Sequence, residues 1–172
     1  ARVLQEIAKQ LNTDVPEDIM IGWQRNIFIC SFGKTYLTCR LIEGQFPDYR
    51  KVIPEEGTTR FTAKISDALS AVDRVSLILR EGDYNVVRIK VESEQLVIAS
   101  RNLDVGDSVE SVAAAVEGDE MELGFNVRYL MDILKHIDGE SFKGSTNGPL
   151  TPLLIKPEQE AGYLYIVTPV RK

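Results

Sequence analysis

The stretch GFNVRYLMDILKHI, residues 124–137, contains the pattern that decides the fold. Its apolar residues recur at helical spacing, Asn126 is a good N-cap, and Asp138-Gly139 ends the pattern, so we predict a helix over residues 127–137. The basic residues Arg128 and Lys135 fall on one stripe of this helix. The helix is therefore amphipathic and is expected to bury its apolar face against neighbouring elements.

A matching pattern occurs near the start of the chain. The segment RVLQEIAK at 2–9 agrees in polarity with RYLMDILK at 128–135, except at Gln5 and Met131. Strand-like runs follow both segments, and Tyr36 corresponds to Tyr163. The pattern predicts an internal repeat, in which residues 1–45 are the second half of a domain whose complete copy spans about 55–172. Chance similarity between two amphipathic helices is the alternative.

Periodicity along the rest of the chain favours short strands with few helices. Helices are predicted at 1–11, 65–79 and 127–137, and strands at 19–23, 27–32, 36–42, 60–63, 86–92, 95–100, 108–116, 120–125, 141–143, 150–156 and 163–170. This order is typical of an α+β fold that is rich in antiparallel sheet. The stretch EGQFPDYRKVIPEEG, residues 43–57, carries prolines, glycines and charges, so we place a domain junction there.

Composition narrows the class of protein. The chain has 172 residues, is 44% hydrophobic and has a net charge of -6, which argues against a generally basic nucleic-acid coat. No apolar run approaches the ~18 residues of a membrane span, so we expect a cytoplasmic protein. Cys30 and Cys39 form neither a CxxC pair nor a disulfide framework. We expect both to be buried free thiols, with Cys30 opposite position 36 across a hairpin turn at Gly33.

Residues with catalytic or metal-binding chemistry are sparse. The one histidine, His136, lies at the predicted end of a helix, and no P-loop, GxGxxG or nucleophile elbow is present. We predict no catalytic residue, no metal and no cofactor. An enzyme of α+β fold with an unrecognised site is the competing hypothesis.

Negative charge is concentrated in one segment. Residues 104–122 contain seven acidic side chains and no lysine or arginine. If these strands form an outward sheet face, that face would repel nucleic acid. Plain solubility is the alternative explanation.

Three motifs resemble those of one family, the bacterial DNA polymerase III beta subunits or beta sliding clamps. They are GQFPDYRKVIP at 44–54, GFNVRYL at 124–130 and YIVTPVR at 165–171. The resemblance implies a DNA-clamp fold, with antiparallel sheets outside and two helices per complete domain facing a DNA channel. By this comparison residues 1–54 are the second half of the middle clamp domain plus the interdomain connector, and residues 55–172 are a complete carboxy-terminal domain. Such a chain alone would not close the ring.

The resemblance also implies a function without catalysis. The chain would be part of an accessory subunit of the polymerase III holoenzyme, a processivity factor that encircles duplex DNA without reading its sequence. It would tether the polymerase III alpha subunit, the clamp loader, other polymerases and repair proteins through short linear motifs. The full-length protein would form a homodimeric ring, with no membrane partner. A short form that serves only as a peptide-binding module is a further alternative.

The same comparison assigns site residues, each with a plainer alternative. The DNA-facing residues would be Arg2, Gln5, Lys9, Arg128 and Lys135; the alternative is a solvated helix face. The peptide-binding pocket would comprise Pro47, Val52, Asn126, Tyr129, Leu150, Pro152, Ile166, Thr168, Pro169, Val170 and Arg171; the alternative is that the prolines only end strands. The subunit interface would comprise Leu77, Ile78, Asp107, Val109 and Glu110, with residues 106–116 as an edge strand; the alternative is core packing. Thr168 and Lys172 depart from the family, whose members often carry larger apolar residues there.

Overall fold

The structure, a computed structural model, describes residues 2–11, 18–46, 48–54, 57–79, 85–159 and 162–170, and of Arg2 only the backbone. The chain divides into two compact units, Ala1–Asp48 and Tyr49–Lys172. The fold is of the α+β class, and most of its sheet is antiparallel, as the periodicity predicts. Among the described residues, no helix has the length and apolar character needed to cross a membrane.

The first unit is a helix followed by a three-stranded meander. Its elements are α1 (Arg2–Gln10), β1 (Met20–Gln24), β2 (Ile27–Phe32) and β3 (Thr35–Arg40), with sheet order β1-β2-β3. Ile7, Cys30 and Phe32 form its small buried cluster. Ile21 lies opposite Cys30 and so faces the same side of the sheet, yet its side chain is exposed. The core of this unit is therefore only partly covered.

The β2–β3 hairpin differs from the prediction by one residue. Phe32 pairs with Thr35, so the loop has two residues, and Gly33 adopts a left-handed φ of 52°. Cys30 therefore lies opposite Leu37 instead of position 36. Both cysteines are free thiols, but only Cys30 is buried and Cys39 is half-buried.

The second unit begins with a 3-10 turn at Tyr49–Lys51, and its described residues form two helices and eight strands. Its elements are β4 (Thr59–Lys64), α2 (Ile65–Ser76), β5 (Val86–Glu92), β6 (Gln95–Asn102), β7 (Gly106–Glu117), β8 (Met121–Asn126), α3 (Val127–His136), β9 (Ser141–Thr146), β10 (Leu153–Pro157) and β11 (Tyr165–Val167). The strands form one sheet in the order β11-β10-β9-β4-β7-β6-β5-β8. Both helices pack their apolar sides against the core of this sheet.

Strand β7 joins the two halves of this sheet. Residues 106–113 pair with β6, whereas residues 114–117 pair with β4. These two stretches pair on opposite sides of β7, and among the described residues neither is paired on both sides beyond the Ala114 amide bond to the Glu94 carbonyl. The prediction that 106–116 is an edge strand at a subunit contact stays a prediction. Within the described residues, 106–113 keep one open edge.

The end of the chain nearly closes the sheet into a barrel. Beyond β11, the Val170 amide donates a 2.7 Å hydrogen bond to the Gly124 carbonyl of β8. Strand β10 begins at Leu153 and not at the predicted position 150. The reason is that Pro152 has no amide to donate and residues 148–151 form a turn, closed by a Thr151 amide to Gly148 carbonyl bond.

Close packing in the core depends on a glycine. The rings of Phe61 and Phe142 meet edge to face, with centroids 6.1 Å apart, and both are buried. Gly144 lies against the Phe61 ring, and a Cβ added there would fall 2.4 Å from its Cε2 atom. Any larger residue at this position must displace the ring.

Candidate functional site

The outward face of α3 carries the basic stripe. Arg128 and Lys135 are both exposed, and the acidic Asp132 lies between them on the same face. All three line a shallow groove of about 370 Å³ between α2 and α3. Asn126 starts the helix by accepting a 2.9 Å hydrogen bond from the Arg128 amide. The face is therefore weakly basic and has no deep pocket.

The corresponding stripe on α1 is also exposed at the positions that the structure describes. Gln5 and Lys9 are exposed, and the neighbouring Glu6 accepts a hydrogen bond from Gln10. The side chain of Arg2, the first residue of the predicted stripe, lies outside the described residues. The role of both stripes toward DNA stays a prediction.

Three of the predicted peptide-pocket residues meet in a cleft between α3 and β11. We call this the α3 cleft; it has a volume of about 450 Å³ and is lined by Tyr129, Asp132, Ile133, His136, Tyr165, Ile166, Val167 and Thr168. The Tyr129 side chain is 62% exposed at its rim. His136 Nδ1 donates a 2.8 Å hydrogen bond to the Asp132 carbonyl, which fixes the imidazole. The cleft thus combines apolar walls with a polar rim, as peptide-binding grooves do.

Two more predicted residues lie in a different cleft. We call it the β8 cleft; it has a volume of about 850 Å³ and is lined by Val86, Arg88, Ala99, Ser100, Arg101, Asp107, Val109, Glu122, Gly124, Pro149, Leu150 and Val170. Leu150 is exposed there, and Val170 is held by its hydrogen bond to Gly124. The predicted pocket residues therefore divide between two clefts.

The remaining predicted pocket residues that the structure describes line neither cleft. Val52 is exposed just after the 3-10 turn, and Pro152 and Pro169 are half-buried. Asn126 caps α3. Pro47 and Arg171 lie outside the described residues, as does Lys172.

An exposed apolar patch lies where the subunit interface was predicted. Leu77 is 78% exposed at the end of α2, Val109 is exposed on β7, and Ile78 is half-buried. The hairpin between β6 and β7 adds two residues that the sequence reasoning missed, Leu103 and Val105; Leu103 is 92% exposed. Large apolar side chains at a turn are the signal that could have identified them.

Asn102 fixes the geometry of this patch. Its Nδ2 donates a 2.9 Å hydrogen bond to the Ile78 carbonyl at the end of α2. Its Oδ1 accepts hydrogen bonds from the amides of Asp104 at 2.9 Å and Val105 at 3.2 Å. The side chain is almost completely buried. One residue therefore joins the helix end to the apolar hairpin, which is the side-chain turn geometry that asparagine favours.

Arginines pair with some of the acidic residues in the segment 104–122. Arg74 on α2 binds Glu110 through two hydrogen bonds of 2.8 and 2.9 Å. These bonds lower the pKa of the Glu110 carboxyl and raise that of Arg74. Glu122 is paired with Arg88 at 2.9 Å. Neighbouring elements therefore bring cations to part of the acidic segment, and its repulsion of nucleic acid stays a prediction.

Metal-binding geometry is absent from the part of the chain that the structure describes. No group of three or more histidine, cysteine, aspartate and glutamate side chains converges there.

Comparison with known proteins gives one consistent family. The model of the DNA polymerase III beta subunit, C-terminal domain, matches residues 50–171. The curated beta sliding clamp of Staphylococcus epidermidis is 31% identical over 171 residues, which is 99% of this chain and 45% of that protein. The chain thus spans less than half of this relative.

Solved structures agree with the sequence comparison. The DNA polymerase sliding clamp of Bacillus subtilis matches with a TM-score of 0.83 and 31% identity, over 98% of this chain and 45% of that chain. The beta sliding clamp of Caulobacter crescentus matches with a TM-score of 0.80 and 30% identity, over 90% and 41%. That structure has polyethylene glycol bound to a proposed beta-motif tethering region.

Proposed function

Since the chain belongs to the family of DNA polymerase III beta subunits, we propose that it is part of a DNA sliding clamp. In this role it surrounds duplex DNA without reading its sequence and tethers a polymerase and other partners through short peptides. The match of residues 50–171 to the carboxy-terminal domain is the observation that carries the proposal. The chain acts by binding and supplies no catalytic group, and it works in the cytoplasm.

The exposed face of α3 is the proposed DNA-facing surface of the second unit. Arg128 and Lys135 attract phosphates, which carry no sequence information. Asp132 between them weakens that attraction. A weakly basic surface suits a protein that must move along DNA. Gln5 and Lys9 on α1, with Arg2, have the same proposed role.

A salt titration of DNA binding tests this surface. Replacing a lysine that contacts phosphate lowers the slope of log affinity against log salt by about one. We expect Lys135→Gln to do this for any duplex sequence. Lys34→Gln is the matched control, because Lys34 is an exposed lysine in the β2–β3 turn. Equal slopes for the two variants would contradict the assignment.

The α3 cleft is the proposed main site for partner peptides, together with Leu150, Pro152, Pro169 and Val170. The α3 cleft has apolar walls and lies where the chain leaves strand β11. Such walls can receive alternate side chains of an extended peptide. The Caulobacter crescentus relative, whose structure has a ligand at a proposed tethering region, supports this use. Pro47, Val52, Asn126 and Arg171 are part of the proposal as rim residues.

Tyrosine substitutions test the cleft with a matched control. Tyr129 and Tyr36 are exposed to similar extents, 62% and 65%, but only Tyr129 lines the α3 cleft. For a labelled clamp-binding peptide from the polymerase III alpha subunit, we expect Tyr129→Ala to weaken binding at least about tenfold. Tyr36→Ala should leave the affinity unchanged. Equal affinities for the two variants would remove the cleft from the proposal.

The patch of Leu77, Leu103, Val105 and Val109 is the proposed contact with a second subunit in a homodimeric ring. Beside it, the open edge of β7 at 106–113 can accept a strand. Ile78, Asp107 and Glu110 border the same surface. In the full-length protein, Leu103→Asp should shorten retention on circular DNA but leave peptide binding intact. Unchanged retention would show that the ring closes elsewhere.

The first unit is proposed to be the second half of a middle domain. Both units contain a helix followed by three antiparallel strands, α1 with β1–β3 and α3 with β9–β11. Strand β9 pairs with β4, whereas β1 pairs with β2 alone among the described residues. Trp23 is 75% exposed in the present chain. Its fluorescence should shift to shorter wavelength in the full-length protein, and an unchanged spectrum would contradict the assignment.

A further inference from the structure

The outer face of the sheet in the second unit carries a basic groove. We use this name for the surface formed by Arg60 and Lys64 of β4, Lys143 of β9 and Lys156 of β10, above a floor that includes Ala115 and Leu154. Its volume is about 1020 Å³. Phe61 and Ala63 of β4 point into the core, so the basic residues that alternate with them point to the opposite side. Among the described residues, the groove shares no lining residue with the α3 cleft or the β8 cleft.

The charges in the groove are not balanced. Four basic and two acidic side chains line it, in a chain whose net charge is -6. Lys156 lies directly opposite Lys143 on neighbouring strands, an arrangement that costs stability. Among the described residues, no carboxylate is paired with Lys64, Lys143 or Lys156. An anionic partner would relieve this repulsion.

The surface of the groove favours a peptide over a single-stranded nucleic acid. Single-stranded nucleic acids need exposed aromatic rings on which bases can stack. The one aromatic residue that lines the groove, Phe61, is buried with its ring in the core. The floor instead has small residues, such as Ala113 and Ala115, that allow another backbone to approach closely.

The spacing of the cations fits an extended chain. Arg60, Thr62 and Lys64 follow one another on the same face of β4, about 6.6 Å apart. Thr62 is uncharged, but Lys143 of β9 lies directly opposite it, so a cation is present at each of the three levels. Side chains on one side of an extended peptide have the same spacing. Carboxylates at alternate positions of such a peptide could therefore meet the basic side chains in register.

We propose that the basic groove is a docking site for an extended acidic peptide segment of a partner protein. The peptide lies along β4, and its carboxylates accept hydrogen bonds from Lys64, Lys143 and Lys156. Charge-assisted bonds of this kind are stronger than neutral ones. Binding at this site is independent of the peptide that occupies the α3 cleft.

A direct binding experiment uses defined probes on the 172-residue chain. The probes are a labelled peptide of four Glu-Ala repeats, the same peptide with Gln in place of Glu, and an oligothymidylate of equal length. Fluorescence anisotropy gives the affinities at two salt concentrations. The variants are Lys143→Glu and Lys156→Glu, with Lys34→Glu as a control of equal charge change. Each groove variant replaces a like-charge pair by an opposite-charge pair, so both should fold; circular dichroism checks this.

The expected result is that the acidic peptide binds, the Gln peptide does not, and binding weakens at high salt. Each groove variant should weaken binding about tenfold, while Lys34→Glu should change it little. Binding of the acidic peptide that is insensitive to both groove variants would overturn the proposal. So would preferential binding of the oligothymidylate, which would indicate a nucleic-acid surface. Self-association that is lost in the groove variants would show that a second copy of the chain is the occupant.

Discussion

Replacement of Asn102 by alanine tests how the exposed apolar patch of Leu77, Leu103, Val105 and Val109 is held in place. The substitution removes one hydrogen bond to the Ile78 carbonyl and two from the amides of Asp104 and Val105. The bond to Ile78 is partly buried, and its loss leaves a carbonyl unsatisfied at the end of α2. Because each of the two turn bonds is worth about 1 kcal/mol, and the unsatisfied Ile78 carbonyl costs about 1–3 kcal/mol, we expect a loss of about 3–5 kcal/mol in the free energy of unfolding.

Asn102→Asp separates the two parts of this network. The aspartate keeps an oxygen for the two turn amides but has no donor for Ile78. It also places a carboxylate beside the Ile78 carbonyl. Asn102→Asp should therefore destabilise the second unit while preserving slow amide exchange at Asp104 and Val105. Asn102→Ala should accelerate exchange at both amides.

Urea unfolding and hydrogen exchange measure the two effects. The single tryptophan, Trp23, belongs to the first unit, so its fluorescence follows that unit while far-ultraviolet circular dichroism also follows the second. The Trp23 transition should be unchanged in both variants. A loss below about 0.5 kcal/mol in Asn102→Ala, the level of an ordinary surface substitution, would refute the proposed role of the network. Wild-type stability in Asn102→Asp would refute the contribution of the Ile78 bond.

Two further predictions concern the core and the Arg74–Glu110 pair. Gly144→Ala should lower the free energy of unfolding by about 1–3 kcal/mol, because its Cβ overlaps a buried ring; Gly22→Ala, with open space around its Cβ, is the control. If urea unfolding shows the same loss in free energy of unfolding for both alanine variants, the overlap of the Cβ with the ring is not the cause. Arg74→Gln should raise the pKa of Glu110 toward the ordinary glutamate value in an NMR titration. Because the pKa of Glu110 is lowered, the pair stabilises the fold at pH values above the ordinary glutamate pKa, and this contribution is lost as the pH falls. An unchanged pKa of Glu110 in the variant would contradict the pairing.

Local sequence patterns were sufficient to predict the helices and most of the strands. The helix at Val127–His136 was predicted from apolar periodicity and an asparagine cap, and Asn126 does accept the capping hydrogen bond. Strands β2 and β5 have the predicted bounds. These features depend on residues within a few positions of each other, so the sequence alone contains the information.

Pairing partners and turn lengths were less predictable. The sequence of β7 does not reveal that its first eight residues pair with β6 and its last four with β4. The register of Cys30 changed by one position because the hairpin loop has two residues. Both features concern long-range or cross-strand geometry, for which the alternation of side chains gives no unique solution.

For the site residues, too, local sequence patterns did not determine the tertiary arrangement. Tyr129 and Ile166 could be associated through family motifs, but the motifs did not separate the α3 cleft from the β8 cleft. Asn102 had no motif, and its role depends on the position of the α2 end. The basic groove was missed altogether, because its cations come from strands that are far apart in sequence.

The sequence by itself determined the α+β class, the repeated amphipathic helix, the capping of α3 and the membership of a family through three short motifs. Only the tertiary structure decided which strands are neighbours, which apolar residues stay exposed, and where opposite or like charges meet. The physical reason is that helix periodicity and capping involve neighbours along the chain. Sheet order, burial and electrostatic pairing depend instead on residues that meet only after the chain has folded.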